Sequence, residues 1–435
     1  MINGGEPKPS HSPPQILLVG AGVVGRAIAV DHLKSGIEVW MADQDEEILR
    51  RSCDLVLRQS DGVADSASPW GARIPLPIVH FSPASPAPAI SGRSDASDEN
   101  EADSIDKLAI GRDPVPQWLL IESIAERLDI KQSFFAEAEG WFDRQAILTT
   151  NTSTLPIASI AAKLRSPERL CGLHFFMPVS DRPAAEIIPH AFTNSDEGVS
   201  SPTDPDVVET CCRHAIALDK KPLRVRDAPG FVVNRLLAPY LNLATDLLCG
   251  GIDAESIRRA AIDYGMPISP LELVDLIGTR TAFDGGRIVW SAFPGRMDPS
   301  PLLPALVKRK RAGVASNEGF YAYDSDGNRV GNDLAPIAME LAEKYRHDSF
   351  VNFPHCNEDR INLLTELFAA AIRLEAIAIE RDGVADAETI DAAIKGGLGW
   401  NAHDGSKGPV DGLSPERVKE LAAQFPKLKS IQPLD

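Results

Sequence analysis

The sequence contains few cysteines, and none of them has the paired spacing of a metal or redox motif. Its six cysteines in 435 residues include no C-x-x-C pair, so we expect reduced thiols, no disulfide framework and no metal site. The sequence also lacks any window near the roughly 18 uninterrupted apolar residues of a membrane-spanning helix. Since the N-terminus has no charged-then-apolar signal pattern either, we expect a cytoplasmic protein without a membrane partner.

Basic residues are scarce as well. The chain has 44 Lys and Arg against 62 Asp and Glu, a net charge of −18, which argues against nucleic acid or an anionic membrane as partner. A polyanionic small ligand would need only a local basic patch. The run at residues 308–311 is one candidate, and a solvated charged turn is an equal alternative. The length of 435 residues predicts two or three domains.

A glycine-rich turn follows the first apolar run. That run, Gln15–Val19, predicts a buried parallel strand and leads directly into the turn at residues 20–25. Gly20 permits a tight turn, Gly22 lets a pyrophosphate approach the backbone, and Gly25 lets the next helix pack closely. This context predicts a dinucleotide-binding turn. Its expected cofactor-binding members are Gly20, Gly22, Val23, Val24 and Gly25.

Asp43 follows the second predicted strand, residues 38–42. A carboxylate at this position accepts hydrogen bonds from the ribose hydroxyls and repels a 2′-phosphate. NAD is therefore predicted over NADP. Arg50 and Arg51 are the only nearby residues that could weaken this preference.

Residues 146–190 carry the densest set of reactive side chains. A short apolar strand at residues 146–150 is predicted to deliver hydroxyl and amide groups, including Asn151 and Ser153, to its carboxyl end, where ligands of open α/β sheets bind. A second predicted strand carries His174 near its end. Glu186 follows in a third apolar run, where a buried carboxylate needs a partner that a histidine can supply.

These motifs resemble, in order and spacing, those of the 3-hydroxyacyl-CoA dehydrogenases. They are Asn-Thr-Ser-x-Leu-Pro-Ile at 151–157, Gly-Leu-His-Phe-Phe-x-Pro at 172–178, and the glutamate that follows. The similarity is greatest to the dehydrogenase half of multifunctional fatty-acid-oxidation α subunits, and it covers residues 15–60 and 118–412. It implies these roles: His174 as general base, Glu186 as its orienting partner, Ser153 and Asn234 as hydrogen-bonding partners of the reacting oxygen, and Glu126, Lys131 and Asn151 at the cofactor.

Several of these residues also have plain structural interpretations. Glu126 and Lys131 are equally well exposed helix charges. Ser153 alone could cap a helix, and Asn234 alone could be an amide at a helix start. The last two roles are compatible with catalysis.

The predicted fold is an N-terminal α/β domain with a Rossmann-type doubly wound sheet, followed by an all-α region of two related helical units. The expected boundaries are a disordered leader at 1–14, an NAD-binding domain at 15–226, and helical domains at 227–345 and 346–435. The repeat is visible where Asp253 and Asp386 begin similar eight-residue segments, and the first helix of the second copy is eight residues longer. A chain with both copies looks self-sufficient, so we expect a monomer or homodimer.

Two departures from the family pattern stand out. Residues 60–116 contain Pro-, Ser- and acid-rich runs, which predict a linker or surface insertion. The family resemblance implies a helical hairpin that grips CoA at this place. Met177 stands where the family usually has asparagine, and a thioether cannot donate the hydrogen bonds of an amide.

The predicted function is NAD-dependent oxidation of a 3-hydroxyacyl-CoA to a 3-oxoacyl-CoA in fatty acid β-oxidation. We expect no hydratase domain in this chain, and a thiolase or a hydratase is a candidate partner. Two alternatives stay open. One is a catalytically weak NAD-binding partner of a β-oxidation assembly, and the other is a dehydrogenase of a hydroxy acid without CoA.

Overall fold

The computed structural model describes most of the chain outside its N-terminal leader and the segment after residue 82. The described residues are 14–61, 63–65, 77–82, 117–142, 145–191, 193–194, 199–350, 353–354, 357–401, 408–426 and 428–432. The predicted disordered leader therefore lies, except for Pro14, outside the described residues. The same holds for residues 83–116 of the predicted insertion.

Strands alternate with helices in the first half of the described chain, and the longer regular elements after residue 224 are helical. The strands are β1 (Gln15–Val19), β2 (Val39–Ala42), β3 (Val63–Asp65), β4 (Ile78–Ser82), β5 (Trp118–Glu122), β6 (Ile147–Thr150), β7 (Leu170–Phe175), β8 (Ala184–Pro189), β9 (Thr193–Asn194), β10 (Val199–Ser200) and β11 (Lys221–Arg224). The helices are α1 (Val23–Lys34), α2 (Glu46–Ser60), α3 (Leu128–Ala138), α4 (Ile157–Ala161), α5 (Pro205–Ala217), α6 (Val233–Cys249), α7 (Ala254–Tyr264), α8 (Pro270–Ile277), α9 (Thr279–Ala292), α10 (Leu302–Lys308), α11 (Pro336–Lys344), α12 (Asn357–Arg381), α13 (Ala387–Gly396) and α14 (Pro415–Gln424).

The chain divides into two compact units. The first consists of Met1–Thr152, Ile157–Asp181 and His190–Asp219, and the second of Ser153–Pro156, Arg182–Pro189 and Lys220–Asp435. The domain boundaries expected at residues 226 and 345 stay predictions.

Among the described residues of the first unit, seven strands follow one another in a sheet in the order β7-β6-β5-β1-β2-β4-β3, and β9 and β10 pair separately. From β7 to β2 neighbouring strands are parallel. Their central residues are completely buried, among them Leu17, Leu120 and Leu148, as expected for a parallel sheet covered on both faces. The chain leaves β1 towards β2 on one side and returns to β5 on the other. This change of direction at β1 creates the crevice that binds ligands in doubly wound sheets. The predicted Rossmann-type doubly wound sheet is therefore confirmed.

β3 and β4 lie inside the segment that the sequence indicated to be a low-complexity insertion. β4 pairs antiparallel with β2, and β3 pairs antiparallel with β4. The prediction of an insertion without regular structure is therefore wrong for Val63–Asp65 and Ile78–Ser82. The β-branched and aromatic residues at 78–81 favour a strand, but Pro75 and Pro77 obscured the pattern.

The second unit contains the helices from α6 onward and the parallel strand pair β8 and β11. α12 packs against both α6 and α7. The predicted eight-residue difference between the first helices of the two copies is confirmed, since α6 has 17 residues and α12 has 25. The predicted aspartate cap of α7 is confirmed, because the Asp253 carboxylate accepts a hydrogen bond from Ser256 N, and Asp386 caps α13 in the same way.

Candidate active site

The glycine turn of the first unit has the geometry that its sequence predicts. Gly20 has a φ of +108°, and a Cβ there would lie 2.3 Å from Ser123 O. A Cβ on Gly25 would lie 1.9 Å from Gly20 O, so the start of α1 can pack against the turn only without a side chain. A Cβ on Gly22 would meet nothing within 4 Å. The open space beside Gly22, at the N-terminus of α1, suits an anion such as a pyrophosphate.

Asp43 links the end of β2 to the glycine turn. Its Oδ2 accepts a hydrogen bond from Ala21 N at 2.7 Å, and its Oδ1 accepts one from Asp45 N at 2.9 Å. Each carboxylate oxygen has two acceptor positions, so both can still accept a hydroxyl proton of a ribose. Val23 is largely exposed and Val24 half-buried beside the turn.

The two arginines that could attract a 2′-phosphate already have acidic partners. Arg50 donates to Glu46 at 2.7 Å, and Arg51 pairs with Glu47, both one helical turn away and exposed. Exposed pairs of this kind contribute only about 0.3–0.5 kcal/mol. They nevertheless compensate much of the positive charge near Asp43.

Glu122, Lys131 and Glu126 form a charged cluster at the carboxyl end of β5. Lys131 Nζ lies 2.5 Å from Glu122 Oε1 and 3.4 Å from Glu126 Oε2. The Lys131 side chain is 1% exposed and that of Glu126 39%. The alternative interpretation of Lys131 as an exposed helix charge is therefore wrong. Of Glu126 and Lys131, both predicted to lie at the cofactor, Glu126 is the one that reaches the surface.

Glu122 is a member of this cluster that the sequence interpretation missed. It is completely buried and accepts hydrogen bonds from Ile124 N at 2.7 Å and the Thr150 hydroxyl at 2.6 Å. One signal could have revealed it, since a carboxylate closes the otherwise apolar strand Trp118–Glu122. A buried charge in such a run needs partners from elsewhere in the chain.

His174 lies on β7 and is buried. Its ring packs edge-to-face on Phe176, with centroids 5.1 Å apart. Asn151 Oδ1 accepts a hydrogen bond from Phe175 N at 2.8 Å, so the amide at the end of β6 fixes the end of β7 next to His174. Asn151 thus has a structural contact that its predicted place at the cofactor did not suggest.

Glu186, Ser153 and Asn234 belong to the second unit. Glu186 is completely buried, and its Oε1 accepts hydrogen bonds from Val232 N and Val233 N, each at 3.0 Å, at the start of α6. A carboxylate is stabilised at this positive end of a helix. His174 belongs to the first unit, so the pairing of His174 with Glu186 stays a prediction.

Asn234 and Ser153 are joined directly. Asn234 Nδ2 donates to the backbone oxygen of Ser153 at 2.6 Å. Asn234 is the second residue of α6, as the helix-start interpretation predicts. α4 begins only at Ile157, so Ser153 is not in the N-cap position of that helix.

Met177 lines a surface depression of the first unit together with Lys34 and Gln59. Its side chain is 37% exposed.

Among the described residues no three His, Cys, Asp or Glu side chains are grouped to hold a metal ion. Within the same residues, no helix has the length and apolar content to cross a membrane.

Comparisons with known proteins agree with these features. The model of the 3-hydroxyacyl-CoA dehydrogenase NAD-binding domain matches residues 102–228, and that of the 3-hydroxyacyl-CoA dehydrogenase C-terminal domain matches residues 230–323. Fatty acid oxidation complex subunit alpha of Pseudomonas entomophila is 27% identical over 428 residues, 98% of this chain and 54% of the relative. The subunit from Pseudomonas savastanoi is 28% identical over 430 residues, 96% of this chain and 53% of the relative. The chain therefore spans about half the length of these curated relatives.

Solved structures show the same fold. The 3-hydroxybutyryl-CoA dehydrogenase of Escherichia coli has a TM-score of 0.64 at 22% identity and covers 98% of this chain and 97% of its own. The dehydrogenase part of multifunctional enzyme 1 from C. elegans has a TM-score of 0.56 at 20% identity, covering 98% and 89%. The expected cofactor, NAD, is the one that the matching N-terminal domain model describes. With both domain models matched in order over about half of its length, the chain belongs to the 3-hydroxyacyl-CoA dehydrogenase family.

Proposed function

We propose that the protein oxidises the 3-hydroxyl of a 3-hydroxyacyl-CoA to a 3-oxoacyl-CoA with NAD. One observation carries this proposal beyond family membership. The glycine turn after β1 and His174 on β7 belong to strands that run parallel in one sheet, so the turn and the histidine lie towards the same carboxyl edge. A dinucleotide site and a base at one edge suit the oxidation of a secondary alcohol.

His174 is the proposed general base. Oxidation removes a proton from the 3-hydroxyl oxygen and a hydride from C3. The imidazole accepts the proton, for which histidine is suited because its pKa lies near neutral pH. NAD, when bound, accepts the hydride. Both hydrogens and both electrons lost by the substrate are thus accounted for.

Glu186 is the proposed orienting partner of His174. Val232 N and Val233 N both donate to Oε1 of Glu186, and a carboxylate has a second oxygen that can accept a hydrogen bond from an imidazole. Such a bond would fix the ring tautomer and stabilise the imidazolium that forms. The bond between Asn234 and Ser153 supports a joint role of these two residues in binding the reacting oxygen.

The decisive experiment compares substrates and cofactors. NADH formation is followed with 3-hydroxybutyryl-CoA and, separately, with free 3-hydroxybutyrate, with NAD and with NADP. We expect turnover with the CoA ester and NAD only. Equal turnover of the free acid would favour the dehydrogenase of a hydroxy acid without CoA.

The second candidate is a catalytically weak NAD-binding protein that assists a β-oxidation assembly. Met177 favours it, because the thioether that replaces the family's amide cannot donate a hydrogen bond near the histidine. NAD binding without turnover of any acyl-CoA would support this candidate. Met177→Asn should then raise turnover, whereas a fully active parent protein would rule the candidate out.

A further inference from the structure

Glu122 stands at the point of the sheet where a dinucleotide would bind. It is the last residue of β5 and lies in register with Val19, the last residue of β1, directly before the glycine turn. Ser123 N donates to Val19 O at 2.8 Å, and Ser123 O is the atom that a Cβ on Gly20 would strike. β1 and β5 flank the change of direction in the strand order. Ligands of doubly wound sheets bind at this place.

The Glu122 carboxylate organises its surroundings through three donors. It accepts hydrogen bonds from Lys131 Nζ, Ile124 N and the Thr150 hydroxyl, at distances of 2.5, 2.7 and 2.6 Å. These donors come from α3, the segment after β5, and β6. The carboxylate therefore fixes three separate segments around one buried point.

Glu122 acts on Glu126 through Lys131. The ammonium of Lys131 lies between the two carboxylates, and Glu126 Oε1 also accepts a hydrogen bond from the Thr152 hydroxyl at 2.6 Å. Glu122 and Lys131 are buried, while Glu126 is 39% exposed. The two buried residues thus form a support, and Glu126 is the member that a ligand can reach.

The formal charges of the three cluster side chains do not cancel. Two carboxylates face one ammonium, which gives a net charge of −1 for Glu122, Glu126 and Lys131. Buried ion pairs have a high desolvation cost and are weak contributors to stability. The nicotinamide ring of NAD is positively charged and that of NADH is neutral, so a fixed negative charge nearby favours the oxidised cofactor.

We propose that Glu122 is a positioning residue of the cofactor site, which holds Glu126 in place through Lys131 and thereby makes the site prefer NAD over NADH. The inference rests on the proposed function, since it takes the cofactor to be NAD in a dehydrogenase. A preference for the oxidised form would also assist release of NADH, a step that often limits dehydrogenase turnover.

The test measures the dissociation constants of NAD and NADH separately, by calorimetry and without acyl-CoA, for the parent protein and Glu122→Gln. The amide keeps the size of the side chain and removes one negative charge. We expect the dissociation constant of NAD to rise by roughly tenfold and that of NADH by a much smaller factor. An unchanged ratio of the two constants would overturn the proposal.

Glu139→Gln is the matched control. Glu139 is a buried carboxylate at the other end of α3, and it accepts hydrogen bonds from Arg165 N at 3.1 Å and Arg165 Nε at 2.6 Å. We expect this variant to lose stability while the NAD to NADH ratio stays at the parent value. If both variants shift the ratio equally, the effect is structural and the proposal fails.

Thr152→Val provides a second variant should Glu122→Gln not fold. It removes the hydroxyl that holds Glu126 and leaves the pair of Glu122 and Lys131 intact. The ratio should move in the same direction by a smaller factor, and no movement would refute the proposed support of Glu126. Failure of the proposed function looks different, because the parent would then bind both cofactors without oxidising any acyl-CoA.

Discussion

Arg235 Nε donates to Glu375 Oε1 at 2.7 Å, and both side chains are buried. Arg235 follows the candidate active-site residue Asn234 on α6, whereas Glu375 lies on α12. Arg296 donates to the same carboxylate oxygen at 2.9 Å, and both guanidiniums stack on the ring of Phe293. The second helical copy therefore supports the helix that carries Asn234.

Removing the Glu375 charge should destabilise the second unit strongly. Glu375→Gln leaves the buried Arg235 guanidinium beside a neutral amide, with the partly exposed Asp382 carboxylate 2.9 Å away as its remaining partner. The cost should therefore lie at the lower end of the about 3–5 kcal/mol for breaking a buried pair. We expect a loss of that order in the free energy of unfolding, measured by urea denaturation. Asp391→Asn, which removes the exposed partner of Lys395, is the control and should change stability by less than about 1 kcal/mol. Equal effects of the two variants would contradict the interpretation.

Stability should depend on the ionisation of Asp275. Burial raises the pKa of this carboxyl to about 6, although hydrogen bonds from Phe320 N, Tyr321 N and the Tyr323 hydroxyl oppose the shift. A raised pKa in the folded state stabilises the fold at low pH, and this contribution is lost as the pH rises through 6. Relative to Asp275→Asn, the free energy of unfolding should fall by about 1.4 kcal/mol between roughly pH 5 and 8. If the free energy of unfolding of the parent instead rises relative to that of Asp275→Asn over this pH range, the predicted direction is wrong.

His174→Gln should separate binding from chemistry. Loss of a general base lowers turnover by roughly 10² to 10⁴, whereas the NAD dissociation constant should stay near the parent value. Turnover is measured by NADH formation with 3-hydroxybutyryl-CoA. His347→Gln, a partly exposed histidine of the second unit that lies 3.2 Å from Asp246, should retain parent activity. Similar rates for parent and His174→Gln would place the base elsewhere.

Asp43 should decide the choice between NAD and NADP. We expect the parent to bind NAD more tightly, because Asp43 accepts ribose hydroxyls and repels a 2′-phosphate. Losing a hydrogen bond to a charged group costs about 1.5–3 kcal/mol, so Asp43→Asn should weaken NAD binding by roughly tenfold or more. Calorimetry with both cofactors measures this. Equal affinity of the parent for NAD and NADP would refute the role of Asp43.

Gly22 and Gly25 should respond differently to alanine. A Cβ on Gly22 meets nothing within 4 Å, so Gly22→Ala should fold normally but exclude the pyrophosphate. A Cβ on Gly25 would lie 1.9 Å from Gly20 O, so Gly25→Ala should lose stability as well. Overpacking costs about 1–3 kcal/mol, so a Cβ on Gly22 that meets the pyrophosphate should lower the NAD affinity of Gly22→Ala by roughly fivefold to 150-fold. The melting temperature and the NAD dissociation constant are measured for both.

Gly285→Ala is the control for these glycine variants. Gly285 lies in α9 of the second unit, and a Cβ there also meets nothing within 4 Å. This variant should bind NAD like the parent and be as stable or slightly more so, since alanine favours a helix interior. Unchanged NAD affinity of Gly22→Ala would show that the pyrophosphate does not approach this turn.

The sequence by itself determined the features that rest on local patterns. β1 occupies the predicted Gln15–Val19, and the cap at Asp253 and the eight-residue difference between α6 and α12 were predicted correctly. Strands, caps and glycine turns are encoded by near neighbours, because backbone conformation and side-chain periodicity act over a few residues.

Tertiary structure alone decided which charges are buried and which segments meet. In the sequence Lys131 was equally well an exposed helix charge or a residue at the cofactor. The structure buries it in one cluster with Glu122, nine residues earlier, and Thr150, from the next strand. Glu375 accepts a hydrogen bond from Arg235, which lies 140 residues earlier in the sequence. β4 pairs with β2 although prolines precede β4. No local period records such pairings, because they depend on where distant segments pack, and burial then makes each charge require the partner it has found.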